Sequence, residues 1–177
     1  MSKASSKDEA LGLHFIRRRM SQLFEKREHQ HVVIWCTSLM MRYPRLAILY
    51  EHRAQAQRLL DRDEAALRDI DTAVQLAPRE PAHIFCRGKW RLEAGKYDPA
   101  VADLTVALRL EEELGASHYR NYGLSLRALA HIMLGRFEEA RIDVERISPN
   151  NRMFARGRVW TASDLARCIA RKRRPLR

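Results

Sequence analysis

The sequence predicts an all-helical protein built from stacked helix pairs, and three observations carry that prediction. Pro44 and Pro78 stand 34 residues apart, and each closes an amphipathic stretch. Proline ends a helix because it lacks the backbone donor and its ring clashes with the preceding turn. Ala66, Ile70 and Ala73 fall on one helix face, and Ala100, Leu104 and Ala107 repeat them 34 residues later. Glu93–Ala100 and Met133–Ala140 are near copies, each running from a helix end through Gly and an aromatic into a new helix with acids in its first turn. Glycine permits the left-handed residue that closes a helix, and acids suit the positive end of the next.

The composition agrees. A chain of 177 residues suits one domain with a core of its own. Seven Gly and six Pro are few, which argues against long loops and sandwich-type turns. No 18-residue apolar run suggests a membrane span. The apolar stretch from Leu11 to Ile16 is too short for a signal segment and runs into Arg17-Arg18-Arg19. Cys36, Cys86 and Cys168 are odd in number and far apart, which argues against disulfides or a metal site and for a reducing compartment. The expected location is cytoplasmic.

Taken along the chain, the triad continues as Ala140, Val144 and Ile147, 40 residues on, so six extra residues intervene around Glu111–Arg120. One step before the first triad stand Val32, Cys36 and Leu39. The expected division is a flexible N-terminus over 1–12 and repeats over 13–46 (degenerate), 47–80, 81–114 and 121–154. A capping helix follows over 155–171, with Val159, Ala162, Leu165, Ala166 and Ile169 at helical spacing, and then a basic tail over 172–177.

The 34-residue spacing, the Leu134-Gly135-Arg136-Phe137-Glu138-Glu139-Ala140 turn and the Ala–Ala–Pro series resemble tetratricopeptide repeats. Gly88 matches that family's small residue in the first helix, Ala54 and Ala128 replace it conservatively, and Met20 departs from it. The resemblance covers about four fifths of the chain. It implies about four antiparallel helix pairs in a right-handed superhelix, with a concave groove lined by the first helix of each pair. It also implies protein binding, since the family mostly serves as adaptors, co-chaperones and scaffolds.

The family's groove positions place Arg17, Glu51, Gln55, Arg58, Phe85, Lys89, Leu92, Tyr122, Leu129 and Met133 as partner-binding candidates. Burial between helices is the competing reading for each apolar one. Family members that grip a terminal carboxylate use Lys and Asn at positions where this chain has Glu51 and Phe85, which disfavours a chaperone-tail clamp. A folded partner or an amphipathic helix fits better.

Charge is uneven. Residues 1–46 hold nine Lys/Arg against four Asp/Glu and residues 155–177 eight against one, whereas residues 47–114 hold ten against thirteen. Basic ends suit an acidic partner, a nucleic acid or an anionic surface, and equally suit arginine faces that keep the chain in solution. Arg167, Arg171, Lys172, Arg173 and Arg174 are the candidates for phosphate contacts, but no interleaved aromatics support single-strand binding.

No constellation points to catalysis, and no cofactor or metal is expected. His29 and His31, two apart, do not share a helix face. Glu111-Glu112-Glu113 and Glu138-Glu139 read as solvated helix ends. Trp35, Trp90 and Trp160 read as core anchors, and the cysteines as buried thiols. The expectation is therefore a non-enzymatic adaptor with a protein ligand, specifically a dedicated secretion chaperone or an immunity protein that occludes a toxin. The alternative is a repeat protein that binds nucleic acid through its basic ends.

Overall fold

A computed structural model describes residues 3–172, with side chains from residue 12 onward. The described chain is helical apart from one hairpin and falls into two compact units, which meet in sequence at Leu76 and Ala77.

The first unit holds α1 (Lys3–Glu25), α2 (His29–Arg42), α3 (Ala47–Arg58) and α4 (Asp63–Leu76). Connections of three or four residues force successive helices to run antiparallel. Its core joins Ile16, Met20 and Leu23 of α1 to Val32, Cys36 and Met40 of α2 and to Leu49 and Ala56 of α3. Of the expected flexible segment 1–12, residues 1 and 2 lie outside the described residues, and α1 already begins at Lys3.

The second unit holds α5 (Pro81–Glu93), α6 (Tyr97–Glu113), α7 (Arg120–Leu134), α8 (Phe137–Glu145), β1 (Arg152–Ala155), β2 (Arg158–Thr161) and α9 (Ala162–Ala170). Pro81 opens α5 at a position whose N–H has no helical partner, and the Glu80 carboxylate accepts from the Ala82 N–H. The extra residues of the last repeat lengthen α6 and its loop, which turns at Gly115 with φ +64°.

One contact recurs inside the helix pairs. Arg53 of α3 grips Asp69 of α4 through Nε and Nη2, both at 2.7 Å. Arg87 of α5 holds Asp103 of α6 at 2.9 and 2.7 Å. Arg127 of α7 holds Asp143 of α8 at 2.9 and 2.6 Å. All three carboxylates are buried. Forked guanidinium–carboxylate pairing is the strong form of ion pair, and it fixes the rotation of one helix against the other. The bond to Asp69 holds the Arg53 pKa above its ordinary value. Arg53 also donates to Thr37 of α2, and Arg127 to Thr105 of α6, each at 3.0 Å, so these two clamps reach the preceding helix pair as well. At Gly88 a Cβ would come within 3.0 Å of the Asp103 Cβ and 3.1 Å of the Leu104 Cγ, so a small residue sets the approach of α5 to α6. The first pair has neither device: Met20 takes the small-residue position, and Arg19 faces a register position held by Trp35.

The expected capping helix over 155–171 is corrected in its first part. Residues 152–161 form an antiparallel hairpin, pairing Met153 with Trp160 and Phe154 with Val159. The reason lies in Arg156 and Gly157, both at positive φ (52° and 75°), which make the two-residue turn that matches strand twist. Met153, Ala155 and Trp160 turn inward, and the Trp160 indole N–H donates to the Ala155 carbonyl. Helix begins at Ala162, where Thr161 and Asp164 form a reciprocal cap, and α9 buries Leu165.

Because α1 and α2 lack the clamp, their amides are expected to exchange through smaller openings than those of α3–α8. Native-state hydrogen exchange with peptide-level resolution checks this; equal or greater protection in α1–α2 counts against it.

Candidate partner-binding surface

In the second unit, the candidate surface is the face shared by α5 and α7. The Phe85 ring stacks on Tyr119 at 4.6 Å between centroids and lies tilted against Tyr122 at 5.6 Å. The Lys89 ammonium stands 5.7 Å from the centre of the Tyr122 ring. Tyr122 donates its hydroxyl to the Phe154 carbonyl at 2.8 Å, which ties β1 to α7. Arg156, at the hairpin tip, bonds the Tyr97 hydroxyl and lies over its ring. The face is thus a half-exposed aromatic and amine surface over buried Phe85, rimmed by the hairpin.

The apolar candidates fall on the inner side of these helices. Leu92 and Leu129 are wholly buried, and Phe85 and Met133 nearly so. They set the shape of the surface from beneath and do not form it. Lys89 and Tyr122 are the predicted residues that remain half-exposed here.

In the first unit, Arg17 is exposed on α1. On α3, Gln55 donates to the Glu51 carboxylate at 2.9 Å, and Arg58 reaches Asp63 at 2.6 Å. Phe24 lies tilted against His52 at 6.2 Å and His29 at 6.0 Å. Gln55, Glu51 and Arg58 are thus drawn into side-chain bonds on α3 and at the start of α4, and Arg17 stands exposed on α1.

The basic candidates at the C-terminus separate. Arg167 is drawn to Asp164 at 3.4 Å, Arg171 and Lys172 are exposed, and Arg173 and Arg174 lie outside the described residues. Among the described residues no group of three or more His, Cys, Asp or Glu is placed to hold a metal ion, and no helix is long and apolar enough to cross a membrane. Cys36 is buried, and burial pushes its thiol pKa up to about 12.

No family model matches the chain. Solved structures do. The TPR2B domain of yeast Sti1, in its complex with pHsp70, superposes with a TM-score of 0.60 at 21% identity, over 64% of this chain and 91% of that one. The first such domain of Spaghetti (RPAP3), bound to the HSP90 peptide SRMEEVD, gives 0.59 at 21%, over 71% and 90%. The thermophilic repeat protein TTC0263 of Thermus thermophilus gives 0.56 at 20%, over 86% and 77%. The chain has the tetratricopeptide fold. Within that fold the α5–α7 face is built from the first helices of two successive tetratricopeptide pairs, the helices that carry Phe85, Lys89 and Tyr122.

Residue counting missed Tyr119, the hairpin and the three clamps. The clamps had a readable signal: Arg53, Arg87 and Arg127 each precede an aspartate by 16 residues and follow the repeat step. The hairpin had a weaker one in Arg156-Gly157 between two short runs rich in apolar residues. Tyr119 lies in the extra residues, where the step gives no register.

Two outcomes follow. Phe85→Ala should cost about 3–5 kcal/mol as a core truncation, and Lys89→Ala under about 1 kcal/mol, both read by urea unfolding. Cys36 should resist a thiol reagent in the native protein at neutral pH and react once the chain is unfolded; fast native labelling of Cys36 contradicts the burial.

Proposed function

We propose that this chain is a non-catalytic interaction module that binds a protein or peptide on the faces made by the first helices of its pairs. The observation that carries the reading is the α5–α7 face, where Lys89 and the Tyr122 ring stand half-exposed over a rigid floor of Phe85 and Tyr119. Rigid aromatics and an amine give contact area with little ordering cost, which is how binding surfaces gain affinity. Two structures of the same fold carry bound partners, pHsp70 on Sti1 and an HSP90 peptide on Spaghetti, which supports the same use here.

The specific form of the proposal is a dedicated partner of one other protein, as a secretion chaperone or as an immunity protein that occludes a toxin, acting in the cytoplasm. A net charge of +11, with Arg17, Arg18 and Arg19 exposed on α1, favours an acidic partner and speeds its encounter.

The test is affinity capture from native lysate with the wild-type chain and with Lys89→Glu. A single protein captured in stoichiometric amount, weakened at least about tenfold by Lys89→Glu, is expected. Capture of nucleic acid without protein, or capture indifferent to the substitution, contradicts the reading.

A further inference from the structure

We infer that the hairpin is a second docking surface, which takes an extended acidic peptide carrying an apolar residue along the outer edge of β2. It goes beyond the helical-face reading, because its contacts lie on residues 152–161.

The two edges of the hairpin differ in what they leave unpaired. Across a two-residue turn, the flanking Ala155 and Arg158 bond to each other, and the peptide groups of the next pair, Phe154 and Val159, point outward. On the β1 side that outward carbonyl is already taken, because Tyr122 donates to Phe154. On the β2 side the outward N–H of Thr161 is taken by Asp164 at 3.0 Å. The Val159 N–H and carbonyl remain, and no hydrogen bond from outside the hairpin reaches them among the described residues. An added strand needs such a donor–acceptor pair.

The outer face supplies the side-chain half of a site. Phe154 and Val159 are cross-strand neighbours, 59% and 55% exposed, and form an apolar pair in water. Around them the charge is mainly positive: Arg152, Arg156 and Arg158 stand on the hairpin, against the Asp164 carboxylate bonded at Thr161. Neither Arg152 nor Arg158 makes a direct ion pair among the described residues, although Arg158 attracts the Asp164 carboxylate at longer range. The Arg158 guanidinium lies 3.6 Å over the Trp160 ring, so it is fixed in place before any partner arrives. Packing of Met153, Ala155 and Trp160 on the inner side fixes the strands as well.

The charge selects the occupant. A second copy of this chain brings arginines against arginines, which blunts self-pairing as charged edges do. A strand with alternating carboxylates and apolar side chains meets Arg158, on the Trp160 face, with the first and Val159 and Phe154, on the outer face, with the second.

The probe is a labelled synthetic peptide of alternating Glu and Val, titrated with the full-length chain and read by fluorescence anisotropy. Saturable binding that weakens with salt is expected, together with at least about tenfold loss for Arg158→Glu and for Phe154→Ser at unchanged melting temperature. A Lys–Val peptide should not bind, and N-methylation of the Glu–Val backbone should abolish binding. The inference is overturned by no binding of the Glu–Val peptide, by equal affinity of the Lys–Val peptide, by indifference to both substitutions, or by a single-stranded oligonucleotide that binds more tightly and displaces it. The peptide is read on purified protein, so this result stands or falls apart from any capture on the helical face.

Discussion

A guanidinium from the first helix of a pair closing on a buried carboxylate of the second is the contact on which the described architecture depends. It occurs at Arg53–Asp69, Arg87–Asp103 and Arg127–Asp143, always across 16 residues. A carboxylate taken from water is costly unless its oxygens are filled. Here each is met by a fork, and Asp103 gains a further bond from Arg91 at 2.8 Å. The pairing therefore admits one rotation and one spacing of the two helices. The Thr37 and Thr105 bonds carry that constraint to the neighbouring pair within each unit.

The proposed binding faces follow from it. Once helix rotation is fixed, Leu92 and Leu129 turn inward, and Lys89 and Tyr122 turn to the surface. The same helices thus hold the core and display the proposed site, so core substitutions will change the floor beneath Lys89 and Tyr122. The hairpin adds a separate kind of surface, a short strand edge tied to α7 by a single tyrosine hydroxyl.

The helix pairs were legible because small residues, Gly turns and prolines recur at a fixed step, and each has a local cause. Ala66, Ala100 and Ala140 mark where helices touch, and all are fully buried. The clamps were harder to see, because Arg and Asp in a helix usually face solvent, and only the shared step reveals otherwise. Which groove positions are exposed was not legible, since that depends on the stacking of neighbouring pairs: Leu129 and Tyr122 lie on one helix and part company in burial. At the C-terminus, Val159 fits the helical spacing of α9 by coincidence, while the Arg156-Gly157 turn decides for strands.

A double-mutant cycle at Arg127 and Asp143 tests the central claim most directly. Urea unfolding of the wild type, Arg127→Met, Asp143→Leu and the double variant yields the coupling energy between the two side chains. A bidentate, buried clamp predicts a coupling of about 2 kcal/mol or more, with the double variant more stable than the sum of the single losses allows. A coupling under about 0.5 kcal/mol would mean that the helix pairs are held by apolar packing alone, and the account would be wrong at its base.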